Sequence, residues 1–147
     1  MLTDATLINR LSYRIVGCAI DVHRTLGPGL LERPYVLALA EALKYDGVSC
    51  LLNVPVLVSY RGKPLGCGYR LDVLVESTIV VEVKSIAALA DIHHKQLLSY
   101  LKMTKLPLGL LINFNIPLLR DGIVRIINSP AIEGDSGPAR RAARSGE

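Results

Sequence analysis

The fold is decided by residues 69–84, which read YRLDVLVESTIVVEVK. Two apolar runs, Tyr69–Val75 and Thr78–Lys84, flank the pair Glu76-Ser77, and this pattern predicts two antiparallel strands joined by a tight turn. The second run has valine on both sides of Glu82, as a strand that is buried on both faces requires. A charged side chain in such a strand is costly unless it is paired or bound to a metal ion. The hairpin therefore points to a functional site as well as to a fold.

Three charged side chains of this hairpin are expected to lie close together. Glu82 and Lys84 are two residues apart on one strand, so their side chains leave the same face. Because the turn is centred on residues 76 and 77, Asp72 of the preceding strand comes nearly opposite Glu82. Two adjacent carboxylates repel each other, and a hard divalent cation such as Mg²⁺ or Mn²⁺ removes that repulsion. We therefore predict a metal site at Asp72 and Glu82, with Lys84 directed at whatever the metal holds.

Each of these features alone also has an ordinary interpretation. A Glu-x-Lys pair on a strand is commonly an ion pair or a solvated edge. An aspartate before a hairpin, such as Asp72, is commonly a turn residue. The apolar neighbours of Glu82 favour the metal site over both interpretations, because they place the carboxylate where water cannot solvate it.

A polar pair follows on the next predicted helix. Gln96 and Tyr100 are four residues apart, so they share one helix face, and His93 lies on the same face. That face could be an ordinary polar surface, and His93 could cap the helix or touch a phosphate. Since this helix directly follows the Glu-x-Lys strand, we prefer the interpretation that Gln96 and Tyr100 belong to the same site.

Two helices are predicted before the hairpin. The first is capped by Asp4 and ends at Gly27-Pro28-Gly29, because glycine and proline do not extend a helix comfortably. The second ends at Gly47, and Pro34 is tolerated there because it falls in the first turn. Apolar residues of the first helix recur at steps of three and four: Ile8, Leu11, Ile15, Ala19, Val22 and Leu26. The predicted inner face of the second comprises Leu37, Ala40 and Leu43.

Further strands are predicted on both sides of the hairpin. Alternating valines at 54, 56 and 58 predict a strand before a turn at 61–64. A helix capped by Asp91 and ending near Thr104 is expected to point Leu97, Leu98 and Leu101 inward. The segment Leu108–Phe114 is apolar on both faces, as a central strand requires, and a short strand near Ile123–Ile127 follows. The order α-α-β-β-β-α-β predicts an α/β fold in which helices flank a mixed central β-sheet.

We expect one domain over residues 1–128. A chain of 147 residues is long enough to bury a proper hydrophobic core. From Ser129 onward the composition is reduced almost entirely to small, polar and charged residues, which cannot support such a core. Residues 129–147 are therefore predicted to be a disordered tail.

Bulk properties narrow the class of protein. Residues 1–128 carry 14 basic and 10 acidic side chains, and a mildly basic body around an acidic centre suits a polyanionic partner. Cys18, Cys50 and Cys67 are far apart and form no CxxC pair, which predicts reduced thiols and, with no export signal, a cytoplasmic location. No apolar run reaches the roughly 18 residues that a membrane span needs, so no membrane association is expected.

Several segments of the chain together resemble a known protein family. The segment GLLERPY at 29–35 is similar to the signature of the GxxExxY protein family, a branch of the PD-(D/E)XK nuclease superfamily. The resemblance covers roughly residues 10–128, and its specificity comes from several motifs in the same order. The further segments are YRLD at 69–72, VEVK at 81–84, HHKQLLSYL at 93–101 and GLLINF at 109–114.

The resemblance implies a restriction-endonuclease-like core and a set of metal ligands. These ligands are Asp72, Glu82 and the main-chain carbonyl oxygen of Val83. RecB-like nucleases, whose motif also ends in Gln-x-x-x-Tyr, imply by analogy a further ligand, Glu32, from the N-terminal helix. Pro34 departs from the family pattern within the signature, and we expect it to tilt the helix of Glu32 slightly. The resemblance also implies that Gln96 and Tyr100 hold the substrate backbone or steady Lys84.

The sequence therefore predicts metal-assisted hydrolysis of phosphodiester bonds in nucleic acid, preferably DNA. Lys84 would orient the attacking water or stabilise charge on the phosphate. Aromatic residues are few, with no Trp and one Phe, so contacts to the backbone are expected in place of base stacking. Two alternatives stay open: a non-catalytic module that binds nucleic acid or protein, and a metal phosphohydrolase that acts on small nucleotides. A homodimer also stays open.

Overall fold

The computed structural model describes residues 1–132. This part of the chain contains helices α1 (Ala5–Leu26), α2 (Glu32–Tyr45) and α3 (Asp91–Thr104). Its strands are β1 (Cys50–Tyr60), β2 (Lys63–Val75), β3 (Ile79–Lys84), β4 (Leu108–Asn113) and β5 (Ile123–Ile127). Short 3-10 turns occur at Leu119–Gly122 and Ser129–Ala131. The element order agrees with the predicted one, and the α/β fold with a mixed sheet flanked by helices is confirmed.

The five strands form one sheet in the order β1-β2-β3-β4-β5. Neighbours are antiparallel except β3 and β4, which are parallel and are connected through α3. The predicted hairpin is present, with Val73 paired to Val81 and Val75 paired to Ile79. Glu76 and Ser77 have φ values of 49° and 52°, the left-handed conformation that tight hairpin turns need. The three-residue turn at 76–78 therefore separates the paired Val75 and Ile79 and sets the register of β2 against β3.

Each face of the sheet has its own core. Helices α1 and α2 cover one face, where they pack against residues such as Val73, Val81 and Val83. Helix α3 covers the other face through Leu97 and Leu101, which pack against Val80 and Leu111. Burial on both sides explains why β3 and β4 are almost continuously apolar.

The predicted faces of the first two helices are partly corrected by the structure. Asp4 does cap α1, since its carboxylate accepts a hydrogen bond from the Leu7 amide at 3.0 Å. Leu26, however, is exposed at the end of that helix. The inner face of α2 is formed by Tyr35, Val36, Leu39 and Leu43, so the expected burial of Leu37 is wrong. The face is rotated because Tyr35, which the apolar pattern omitted, is fully buried.

Buried Asn128 lies at the predicted end of the domain. Its side chain donates hydrogen bonds to the carbonyl oxygens of Leu101 and Leu106, which ties the end of β5 to α3. The predicted single domain over 1–128 stays a prediction. The predicted tail begins with the described turn Ser129–Ala131, and residues 133–147 lie outside the described residues. No helix within residues 1–132 is both long enough and apolar enough to cross a membrane.

Candidate active site

Asp72 and Glu82 meet where the pairing of β2 with β3 ends. The paired residues run from Val75 and Ile79 to Val73 and Val81, and one further step of this register places Asp72 opposite Glu82. There the Asp72 side chain takes the role that a backbone carbonyl has elsewhere in the ladder. Its Oδ2 accepts a hydrogen bond from the amide of Val83 at 2.8 Å. The structure thus brings together the two carboxyl groups that the sequence predicted to face each other.

A distortion of β1 lies directly beside Asp72. Asn53 has a φ of 57° and falls between two regular pairs, Leu52 with Val73 and Val54 with Leu71. In a regular strand residues 71 and 73 would share a face, yet Leu71 packs in the α3 core and Val73 in the α1 and α2 core. Asp72 therefore lies at a twist of the strand, and such irregularities commonly re-aim a side chain next to an active site.

Glu82 is a buried carboxyl group with an unsatisfied oxygen. Its side chain is 4% exposed, and among the described residues its Oε2 has no hydrogen-bond partner. Burial and then the adjacent Asp72 carboxyl raise the pKa of Glu82 to about 8, against opposing effects of Tyr69 and Lys84. An unpaired buried polar group costs roughly 1–3 kcal/mol, and more when it is charged. Without a bound cation this carboxyl therefore retains a proton at neutral pH.

The main chain of Val83 adds an oxygen to the same place. In a β-strand the N–H and the C=O of one residue point to the same side. Because the Val83 amide points to Asp72, its carbonyl oxygen is directed to the Asp72 side as well. Asp72, Glu82 and Val83 thus offer carboxylate and carbonyl oxygens, which are the ligands that Mg²⁺ and similar hard cations prefer.

Glu32 borders this group without joining it. Glu32 and Asp72 line a cavity of about 290 Å³, together with Arg33, Val36, Leu52 and Asn53. Within residues 1–132, however, no three His, Cys, Asp or Glu side chains are grouped closely enough to hold a metal ion. The expected third carboxylate therefore lines the same cavity as Asp72 without forming a close cluster with Asp72 and Glu82.

Tyr35, the last residue of the GLLERPY segment, holds the start of α2 in place. Its ring stacks on Phe114 with centroids 4.5 Å apart. Its hydroxyl donates a hydrogen bond to the Gly27 carbonyl and accepts one from the Leu30 amide. The loop before α2 is thereby fixed to the end of β4, and this fixes the position from which Glu32 faces the cavity.

The backbone of Lys84 is held by the end of β4. Its backbone carbonyl accepts a hydrogen bond from the Phe114 amide, and its charge lowers the pKa of Glu82, which places its side chain on the Glu82 side. The next residues are clamped by Asn113, which exchanges hydrogen bonds with both the amide and the carbonyl of Ile86. Sequence reasoning missed Asn113, although an asparagine in an otherwise apolar strand could have indicated a side chain with a specific hydrogen-bonding role.

Tyr100 packs against a residue of the site, whereas Gln96 is exposed. Tyr100 stacks on Tyr69 of β2 with centroids 3.9 Å apart and planes 11° from parallel. Burial and the neighbouring Glu82 raise the pKa values of both tyrosines. Gln96 is exposed one turn earlier on α3. Tyr69 was missed because an aromatic residue on a strand usually signals only packing.

His93 has a structural role at the start of α3. Its Nδ1 accepts a hydrogen bond from the Ala90 amide at 2.9 Å, so it caps the helix, which is one of the two roles that the sequence left open. The helix begins with Asp91 as its first residue, and Ala90 occupies the cap position where Asp91 was expected.

One family of known proteins matches most of the chain. The family model described as the PD-(D/E)XK nuclease superfamily matches residues 9–126. This range includes Glu32, Asp72, Glu82, Lys84 and Tyr100. No curated protein and no solved structure matches the chain. The narrower resemblance to the GxxExxY family stays a prediction.

Proposed function

We propose that this chain, which belongs to the PD-(D/E)XK nuclease superfamily, is a metal-dependent nuclease that hydrolyses phosphodiester bonds in DNA. The observation that carries the proposal is the buried, unpaired Oε2 of Glu82 beside the Asp72 carboxyl group. A purely structural carboxyl at this position would be expected to have a donor at Oε2 as well. A divalent cation would supply the missing partner and offset the repulsion between the two carboxylates.

The residues present fit such a cation. Asp72, Glu82 and the Val83 carbonyl would hold it, and Glu32 would face the waters that Mg²⁺ retains when it binds to protein. When bound, the metal would polarise the scissile phosphate and lower the pKa of the attacking water. Mg²⁺ is the proposed cation and Mn²⁺ the alternative, since both ions favour oxygen ligands.

The side chains around the carboxylates would bind and orient the substrate. Lys84 would direct its ammonium group at the phosphate, where it would orient the attacking water or stabilise the charge that develops on the oxygens. Tyr100, held by the Tyr69 ring, would contact the substrate backbone or steady Lys84. Gln96, exposed one turn earlier, would reach the backbone further from the reacting phosphate.

Metal-dependent cleavage tests the proposal. Labelled single-stranded and duplex DNA and RNA are incubated with the full chain in Mg²⁺, in Mn²⁺ and in EDTA. We expect cleavage of DNA that requires the metal and is lost in Lys84→Ala. Lys102→Ala, which removes an exposed lysine near the end of α3, is the matched control and should retain activity.

Three other results would contradict the proposal. Salt-sensitive binding without turnover, unaffected by EDTA or by Lys84→Ala, would identify a non-catalytic module, because distributed positive charge alone provides such affinity. Hydrolysis of nucleotides without cleavage of polymers would identify a phosphohydrolase. Cleavage that persists in EDTA would exclude the metal site.

A further inference from the structure

The hairpin of β1 and β2 extends well beyond the rest of the sheet. Strand β2 pairs with β3 through Val73–Val75, whereas β1 and β2 stay paired as far as Tyr60 and Lys63. Residues 57–68, termed the hairpin arm, are exposed apart from half-buried Val58. The chain from Lys63 to Asp72 spans about 30 Å at roughly 3.3 Å per residue. A two-stranded ribbon therefore projects from the residue that begins the candidate site.

The charge of this ribbon has one sign. Residues 50–71 contain Arg61, Lys63 and Arg70 and no aspartate or glutamate. Within residues 1–132 the ion pair that forms joins Arg14 of α1 to Asp46 at the end of α2 and includes no residue of the arm. The guanidinium of Arg61 lies over its neighbour Tyr60, 5.3 Å from the ring centroid. The cations at the tip are thus left without carboxylate partners and available to a polyanion.

Apolar side chains accompany these cations. Leu57, Leu65 and Tyr60 are 75%, 59% and 61% exposed. Three exposed apolar side chains on one projecting element are unfavourable for an isolated protein and favour a contact surface. The floor of the DNA major groove offers both chemistries, since phosphates border it and thymine methyl groups line it.

The base of the arm is packed against α3. Val56 and Leu71, at the foot of the two strands, are 2% and 1% exposed in the α3 core. The Tyr69 ring stacked on Tyr100 adds a second attachment to α3. The ribbon therefore leaves the sheet in a defined direction, and binding would cost little ordering entropy at its base.

We propose that the hairpin arm binds duplex DNA in the major groove and so positions a phosphodiester at Asp72 and Glu82. This inference rests on the proposed nuclease function and names the substrate of the same site. A two-stranded ribbon fits the major groove of B-form DNA, whereas the major groove of A-form RNA is too deep and narrow for side chains to read. The arm's strand from Lys63 to Gly68 is about 17 Å long at roughly 3.3 Å per residue, so it follows about five base-pair steps at 3.4 Å each. Duplex RNA lacks a major groove that side chains can read, and free nucleotides have neither a groove nor the length to follow the arm.

Binding without turnover tests the arm separately from catalysis. The affinity of the full chain for a labelled DNA duplex is measured by fluorescence anisotropy in EDTA over a range of salt concentrations. In Arg61→Gln/Lys63→Gln we expect Kd to rise about tenfold and the slope of log K against log salt to fall by about 1.8, since each phosphate contact contributes about 0.9. The control Lys102→Gln/Lys105→Gln removes two lysines that line a separate cavity with Met1 and Asn128, and it should bind as the wild type does.

The outcomes separate the two proposals. Arm-dependent binding in EDTA with no cleavage in Mg²⁺ would support the arm and overturn the nuclease function. If both double variants cleave DNA and bind it equally well, the proposal for the arm alone is overturned. Equal affinity for duplex RNA would overturn the major-groove assignment. A dimer that Leu57→Ser/Leu65→Ser dissociates, with DNA affinity unchanged, would show that the arm contacts a second copy of the chain.

A thiol within the arm provides a readout that needs no variant. Cys67 is exposed in the arm, whereas Cys18 is half-buried on α1. Duplex DNA should slow alkylation of Cys67 severalfold while leaving the rate at Cys18 unchanged, as measured by mass spectrometry of the alkylated peptides. An unchanged rate at Cys67 under conditions in which the duplex is fully bound would overturn the proposal.

Discussion

At the scale of single residues, Asp72 and Glu82 differ in how well the fold satisfies them. Asp72 has a definite partner, the Val83 amide, and so helps to hold β3 where the ladder ends. Glu82 has a buried oxygen with no partner among residues 1–132. The pair therefore combines a carboxylate that is anchored with one that is free to bind a cation.

Asp72→Asn should separate activity from stability. In EDTA we expect the free energy of unfolding to be unchanged or slightly higher, because the asparagine oxygen can still accept a hydrogen bond from the Val83 amide and the Asp72 charge beside the buried Glu82 carboxyl is removed. Cleavage in Mg²⁺ should fall by orders of magnitude. Urea denaturation and a DNA cleavage assay measure the two effects, with Asp21→Asn on the exposed face of α1 as the control. A large loss of stability would instead identify Asp72 as a structural residue.

Glu82 should make the metal-free protein less stable as pH rises. Its pKa in the folded state, about 8, lies above its ordinary value of 4.5. The folded state then binds the proton more tightly, so its stabilising effect is complete below pH 4.5 and is lost as pH rises to about 8. Glu82→Gln should lack this loss and exceed the wild type in stability near pH 8. Urea midpoints in EDTA measured across this range would test it, and parallel curves for both proteins would contradict it.

At the scale of elements, α3 approaches β4 too closely for any side chain at Gly109. A Cβ atom there would lie 2.8 Å from the Leu97 side chain, which is itself buried. This close approach determines where α3 presents Tyr100 and Gln96 to the site. Gly109, in the GLLINF segment, thus allows the close packing of α3 on β4 and has no direct part in the chemistry.

Two Gly→Ala substitutions should have opposite effects. Gly109→Ala should lower the free energy of unfolding by about 1–3 kcal/mol, because the core must shift to admit the methyl group. Gly17→Ala on α1 has open space around the new Cβ and should raise it by up to about 1 kcal/mol, because alanine favours the helix. Denaturant titrations of both variants provide the comparison. Equal stabilities would mean that α3 can move away from β4.

At the scale of the whole molecule, metal binding should stabilise the fold. A ligand that binds only the folded state adds about 2.7 kcal/mol at a hundred times its Kd, which for a domain of this size corresponds to a rise in Tm of roughly 5–11 °C. We expect this rise with Mg²⁺ or Mn²⁺ for the wild type and none for Asp72→Asn. Thermal unfolding with increasing metal measures it. A rise of the same size in Asp72→Asn would place the cation elsewhere.

The sequence by itself determined the element order, the hairpin and the local register. The Glu76-Ser77 turn places Asp72 within a residue of the position opposite Glu82, and the period of two aligns Glu82 with Lys84, because strand geometry is a short-range property. Residues 54–58 and 108–113 were likewise readable as strands from their own composition. These inferences needed no knowledge of distant contacts.

The tertiary structure alone decided which of these residues are satisfied and what surrounds them. The rotation of α2 depends on Tyr35 meeting Phe114, the Tyr69 stack depends on α3, and the separation of Glu32 from the two carboxylates depends on how α2 docks. All of these are contacts between residues more than 30 positions apart in the chain, and no local pattern records them. The unpaired oxygen of Glu82 is of the same kind: the apolar neighbours of Glu82 predicted its burial, but the lack of a donor is a property of the assembled core.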